Sequence, residues 1–293
     1  MSSHPELAAG VIHDIGYRHY DGPRLGRRHA VRAVFVHSLR GVYGLGRPAR
    51  AKVLPFLLLA IVCAPALISG AVTAVTPLPP IPYVHYAYYL QIAVMVFLAA
   101  QAPQVVTGDL RFRTLSLYFS RPLERDDYVL AKLAALATGL FALLAAPLLI
   151  IYVAVLLSHT HAASDVLNET GRLLVGLTGV AVDAVLLAAI GMAISAFTRV
   201  RAFAVVGIIG LYLVTSSVAG IVGGVTRASD VGAAFGLLSP FSLLDGFQAW
   251  ALRVQAATPL EPGRLGWAYA LVVVVDVALA VAVLHWRYRR IES

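Results

Sequence analysis

Six predominantly apolar stretches alternate along this chain with short polar segments rich in arginine. They fall at 53–73, 86–106, 128–157, 172–197, 203–223 and 265–285. An α-helix needs about 20 apolar residues to cross the ~30 Å hydrocarbon core of a bilayer, so each stretch predicts a membrane-spanning helix. The third, at 128–157, is longer than that minimum and has to tilt or extend beyond the membrane surface.

Two further segments carry helical periodicity without the length to span. In 27–45, Val31, Val34, Phe35, Ser38, Leu39 and Val42 recur at helical spacing, with Arg28, Arg32, His37 and Arg40 over the remaining surface. A basic amphipathic helix just before a span predicts an interfacial helix; a solvated helix in a small cap is the plainer alternative. Between the last two spans, in 224–264, Ser239 and Pro240 form a helix opening: an N-cap hydroxyl, then proline at the first helical position. Phe241, Leu244, Phe247 and Ala251 then share one face of 241–252. That run is too short to cross and predicts an external helix, interfacial or re-entrant. The other external connections are a Pro-rich one at 74–85 and a polar one at 158–171.

Charge sets the orientation. With both termini cytoplasmic, all of the 23 Lys and Arg residues except Arg172, Arg227, Arg253 and Arg264 lie on the cytoplasmic side, as the positive-inside rule requires. The composition agrees, with 59% hydrophobic and 13% charged residues against about 45–50% and 25% in soluble domains. The pI near 9.8 comes from loops flanking apolar spans, so topology and anionic membrane lipids account for it and nucleic acid is not an expected partner. The one cysteine, Cys63, lies inside the first span, which excludes an intrachain disulfide and a thiolate-rich metal site. Residues 1–26 are rich in Gly, His, Tyr and Arg, with a turn at Asp21, Gly22 and Pro23. The polar and basic residues ahead of the first apolar run do not have the form of a signal peptide. The chain divides into a cytoplasmic N-terminal extension at 1–52 and a six-span membrane domain at 53–293.

The largest connection on the arginine-rich side runs over 107–133 (TGDLRFRTLSLYFSRPLERDDYVLAKL). Residues 114–120 are half apolar, too short to span, and flanked by Arg111, Arg113 and Arg121. Leu115, Leu117, Tyr118 and Phe119 are costly to leave in water and predict docking on a partner protein or on headgroups. After Pro122, the acids Glu124, Asp126 and Asp127 sit at the start of the third span, where they favour the positive end of its helix.

This segment resembles the cytoplasmic signature of ATP-binding-cassette (ABC) transporter permeases of the type-2 family. The residues carrying the likeness are Thr114, Leu115, Leu117, Ser120, Pro122, Tyr128, Val129, Leu130 and Lys132, together with YRHYDGPRLGR at 17–27. Arg113 stands where that family often has glycine. The resemblance implies a membrane subunit of an exporter in the plasma (inner) membrane. Its coupling loop, 107–127, would dock a separate ATPase subunit through Arg113, Thr114, Leu115, Leu117, Tyr118, Ser120, Arg121 and Pro122. It also implies a second permease, identical or different, with the second and fifth spans lining the dimer interface and translocation path. Gln91, Gln101, Gln104, Tyr212, Thr215, Ser216 and Ser217 are then the path candidates, with helix-to-helix hydrogen bonds as the alternative role for each. ATP and Mg²⁺ would belong to the partner. No G-x-x-x-x-G-K-[ST] sequence occurs, and 46–52 (GRPARAK) has the wrong spacing and lacks the hydroxyl residue, so this chain is not expected to be an enzyme.

Asp183 and Asp276 lie near the middles of the fourth and sixth spans. An aspartate there costs about 2.5–3.5 kcal/mol on insertion scales and has to face protein or a wet cavity. A substrate contact or proton relay and a hydrogen bond to a neighbouring helix are both open. Gly176 and Gly179 share the helical face of Asp183 and predict close helix packing there. His159 and His161, with Asp165 and Glu169 nearby, have ligand types for a divalent metal, but a histidine pair in a loop is ordinarily just polar, and no metal is assigned. His85, His285, Trp267, Trp286 and the tyrosines of 83–89 are read as interfacial. The fold expected is all-α: six transmembrane helices, cytoplasmic termini, an interfacial N-terminal helix and a short external re-entrant helix before the last span. A proton-coupled secondary transporter and a non-transporting membrane anchor or sensor are the other functional classes.

Overall fold

Apolar runs this long bury backbone polar groups most cheaply as helices, and every regular element among the described residues is helical. The computed structural model describes residues 22, 25–76, 80–112, 123–159, 162–226, 230–258 and 262–290. In chain order they form α1 (Arg27–Val42), α2 (Arg50–Val75), α3 (Tyr86–Tyr89), α4 (Gln91–Phe112), α5 (Arg125–His159), α6 (Ala163–Ala196), α7 (Arg201–Thr226), α8 (Asp230–Gly236), α9 (Pro240–Ala251), a 3₁₀ turn (Gly263–Leu265) and α10 (Gly266–Arg290). Helices α2, α4, α5, α6, α7 and α10 are long and apolar enough to cross a membrane.

These six match the six stretches read from the sequence, with differences at the ends. The second stretch breaks after Leu90, so that α3 precedes α4. The polar connection expected at 158–171 is largely helical, because α6 begins at Ala163. Hydropathy measures the thickness of the hydrocarbon, and a polar helical turn beyond it carries no hydrophobic signal. The segment expected as one long external connection holds α8 as well as α9.

Helix α4 is the centre of the bundle, with 67% of its apolar stretch buried, whereas α7 has 17% and α10 22% buried. The outer helices keep apolar faces open: Leu213, Val214 and Ile221 on α7, Leu271, Val274 and Leu279 on α10. Trp267 and Trp286 are also exposed, and at 1.5 Å per residue they stand about 28 Å apart along α10, the spacing of two membrane interfaces. The tyrosines of 83–89 divide. Tyr89 is exposed, but Tyr83 and Tyr86 are buried, and their hydroxyls donate to Glu169 Oε1 at 2.5 Å and to the Val62 carbonyl at 2.6 Å. Burial and the Glu169 bond push the Tyr83 phenol pKa up. These two tyrosines tie α3 and the turn before it to α2 and α6, where the sequence pointed to an aromatic belt.

Helix α1 buries Val34, Ser38 and Val42, three positions four apart and so on one face. At its far end the Tyr43 hydroxyl donates to the Gly139 carbonyl at 2.8 Å. A Cβ at Gly139 would collide with Val42, so glycine allows α1 to approach α5 this closely. Pro103 inside α4 disturbs its carbonyl ladder, and Arg201 donates to the nearby Ala100 carbonyl at 3.0 Å.

Candidate functional site

Tyr128 and Lys132 are one helical turn apart on α5 and project from the same face. Both are buried, Lys132 to 4% exposure. A buried ammonium needs acceptors to offset its lost hydration. Lys132 Nζ finds the Val105 carbonyl at 2.5 Å and the Asp109 carboxylate, both on α4. The Tyr128 hydroxyl donates to the same Asp109 Oδ2 at 2.5 Å, and Nζ stands 4.7 Å from the centre of the Tyr128 ring. On its other side, Tyr128 meets the Tyr288 ring of α10 at 5.7 Å. The helices that lead into and out of 113–122 are therefore joined across their ends.

Helix α1 grips the same place. Arg27 at its first position donates to both oxygens of Glu124 (2.5 and 2.9 Å) and both of Asp127 (2.6 and 2.9 Å). This arrangement, led by the Asp127 hydrogen bond, raises the guanidinium pKa. The Glu124 N–H donates to Asp127 Oδ2 at 3.4 Å, a capping interaction at the start of α5. The acids expected to favour the positive end of this helix thus also bind α1. From α10, His285 approaches Asp126 at 3.3 Å, and the Arg289 carbonyl accepts from Arg125 at 3.5 Å. Arg287 closes the end of α6 by donating to the Ala196 carbonyl at 3.3 Å, one of the orphan acceptors at a helix C-terminus. The proposed docking residues themselves, Arg113, Thr114, Leu115, Leu117, Tyr118, Ser120, Arg121 and Pro122, lie outside the described residues. Their frame does not: α1, α4, α5 and α10 all meet at it. A cavity of about 580 Å³ runs beside this frame between α1 and α4, with His29, His37, Arg47 and Gln104 on its wall.

Between this frame and the opposite end of the bundle the path candidates separate. Gln91 and Ser216 come together on one small cavity that also meets Tyr88, Ser242 and Thr258. Gln101 is buried within the bundle at 2% exposure. Gln104 donates to the Gly41 carbonyl at 2.8 Å and ties α4 to α1. Tyr212 packs edge-on against Phe241 at 5.3 Å, and Thr215 bonds its own helix at Leu211 O. Of the seven path candidates, the structure brings Gln91 and Ser216 to a shared cavity, uses Gln104 and Tyr212 to hold helices together, and leaves Ser217 exposed. Ser242 and Thr258 escaped the sequence reading, and Tyr88 was read as interfacial. Ser242 was legible as the residue after Phe241 in the predicted α9, whereas Thr258 carries no local signal.

Asp183 is 2% exposed and accepts from Gln248 Nε2 of α9 at 2.5 Å. A Cβ at Gly179 would come within 3.0 Å of that amide, and one at Gly176 would strike Tyr83, so the small face of α6 is what lets α9 and Tyr83 approach. Of the two readings of Asp183, the geometry supports the hydrogen bond to a neighbouring helix. Asp276 is half-buried on α10 and does not share this cluster. His159 ends α5 and His161 lies outside the described residues.

A search of curated proteins returns no match to the chain. Residues 19–292 match the family described as ABC-2 family transporter protein; with its six apolar spans, the chain belongs to that family and is a multi-pass membrane subunit of an ABC transporter.

Proposed function

We propose that this permease is the membrane half of an exporter in the plasma membrane, driven by ATP hydrolysis in a separate ATPase subunit docked on 107–127. Its termini and the arginine-rich end are cytoplasmic, and α9 re-enters the membrane from outside. ATP and Mg²⁺ belong to the partner, and this chain performs no covalent chemistry. Two permeases, identical or different, form the complete pore.

The observation carrying this reading is the bond set between Asp109, Tyr128 and Lys132. A loop that only connected two spans would not need its two stems locked by a buried ion pair. A loop that receives force does, because movement at 113–122 then reaches α4 and α5 together, with α1 and α10 attached through Arg27, Asp126 and Tyr288. Since α4 is the most buried span, such a displacement moves the centre of the bundle. The proton-relay alternative has less support, because Asp183 is held by Gln248 while Asp276 lies outside that cluster.

The test is purification from native membranes in mild detergent, followed by ATPase and transport assays in proteoliposomes. A stoichiometric ATPase should accompany the chain. Leu117→Asp with Arg121→Glu should uncouple hydrolysis from transport while membrane insertion persists. Normal coupling in that double variant would remove the assignment, and transport driven by a proton gradient without ATP would replace it.

A further inference from the structure

The small cavity at the end of the bundle remote from the coupling loop has a composition that specifies a ligand. It is about 110 Å³ and is enclosed by α3, α4, α7, α9 and the segment after α9. Five of its wall residues carry neutral hydrogen-bonding groups: Tyr88, Gln91, Ser216, Ser242 and Thr258. Among the described residues, no charged side chain lines it.

Thr258 supplies the second observation. It is 5% exposed, and its hydroxyl has no hydrogen-bond partner among the described residues. Buried polar groups are almost always satisfied, and this unpaired hydroxyl, itself closed to solvent, belongs to a residue of the cavity wall. Its position is well determined: Asp245 accepts the Ala257 N–H at 3.0 Å and the Thr258 N–H at 2.8 Å. Helix α9 is in turn fixed on α7 by the Ser216–Ser239 hydroxyl pair at 3.0 Å and on α6 by Gln248. On the far wall, Gly220 and Ala219 leave the space open, and a Cβ added at Gly220 would touch nothing within 4 Å.

We infer that this cavity receives the neutral, hydroxyl-bearing end of the transported molecule, as in a sugar headgroup. Four hydroxyls and one amide, with the Ser216 hydroxyl partly engaged by Ser239, can each donate and accept, which suits a group that also does both. An anionic head would lose its hydration here without finding a counter-charge among the described residues, and the one carboxylate behind the wall, Asp245, is already engaged by the Ala257 and Thr258 N–H groups. The assignment rests on the transporter reading and names the cargo chemistry that the sequence left open.

The experiment uses the full chain in phosphatidylcholine nanodiscs with three probes of one tail length: octyl β-D-glucoside, octyltrimethylammonium and octyl sulfate, all below micellar concentration. Saturable binding is read by calorimetry. The glucoside should bind about tenfold more tightly than either charged probe, a difference of about 1.4 kcal/mol. Thr258→Val and Ser242→Ala should each erase most of that preference, and Gly220→Leu, which fills the space, should abolish it. Equal binding of the three probes, or a glucoside preference unchanged in these variants, overturns the inference and leaves the cavity to water. Should Gly220→Leu not fold, the near-isosteric Thr258→Val decides alone. ATPase co-purification of the same variants separates the two claims: an ATPase retained without glucoside preference sinks this inference only, and an ATPase missing from the wild-type complex sinks the permease reading only.

Discussion

Lys132 of α5 and Asp109 of α4 form an ion pair between the two helices that bracket 113–122, and the Tyr128 hydroxyl shares the same carboxylate oxygen. The lysine side chain is 5% exposed and the aspartate 22%. Breaking a buried pair from one side costs about 3–5 kcal/mol. Lys132→Met should fall at the low end of that range, because Asp109 keeps its Tyr128 bond and some water. Asp109→Asn in the Lys132→Met background should then cost less than it does alone. Thermal unfolding in detergent, run as a double-mutant cycle, measures this coupling; strictly additive losses would mean that the stems are not joined through these residues.

The Arg27 clamp makes a different prediction, because Arg27 and Glu124 are exposed, at 51% and 64%, and only Asp127, at 18%, is partly covered. Exposed ion pairs contribute little to global stability and are screened by salt. Arg27→Glu should leave the unfolding temperature almost unchanged while amide exchange in α1 accelerates, and raised salt should do the same to the wild-type chain. Glu124→Lys with Asp127→Lys should restore protection in the Arg27→Glu protein. Unaltered α1 exchange in the single variant would show that apolar packing on α5 alone holds the helix.

The contrast between these two ties explains what could be read from the chain. Helices that cross a membrane announce themselves by local composition, and all six were legible. So was α9, through Ser239 and Pro240: Ser239 is the N-cap residue and Pro240 follows it in the first turn, although the Ser239 hydroxyl makes no cap bond and pairs with Ser216 instead. Tyr128 and Lys132 were visible as motif positions, but their partner Asp109 was not, because nothing local marks which acid a lysine will meet across a loop. The same holds for Tyr83 with Glu169 and for Asp183 with Gln248. The path residues came apart for a related reason: a glutamine in a span has the same composition whether it faces a cavity, as Gln91 does, or a neighbouring backbone, as Gln104 does.

Glycine positions provide a packing test with opposite signs. A Cβ at Gly246 of α9 would collide with the Tyr269 ring, which is fully buried and whose hydroxyl donates to the Ala233 carbonyl at 2.6 Å. Gly246→Ala should therefore destabilise by about 1–3 kcal/mol, the usual cost of overpacking. Gly210→Ala on α7 meets nothing within 4 Å and should be neutral or stabilising by up to ~1 kcal/mol, the helix-propensity difference. Equal effects at the two sites would mean that α9 does not pack against α10 as described.

Asp183 and Gln248 separate a structural acid from a proton carrier. The amide donates to Asp183 Oδ1 at 2.5 Å, an interaction that an asparagine carbonyl at 183 can also accept. Asp183→Asn should therefore keep both α9 docking and transport. Asp183→Leu leaves the Gln248 amide, itself 3% exposed, without its acceptor, and should cost about 1–3 kcal/mol, the desolvation penalty of an unmade hydrogen bond. Asp183→Leu combined with Gln248→Leu should recover part of that loss, because two apolar groups no longer strand a donor. A relay predicts the reverse order: Asp183→Asn, which cannot exchange a proton near neutral pH, would abolish transport while leaving stability intact. Measuring unfolding temperature and ATP-driven transport on the same three variants distinguishes the two roles, and loss of transport in a stable Asp183→Asn protein would return the acid to the mechanism.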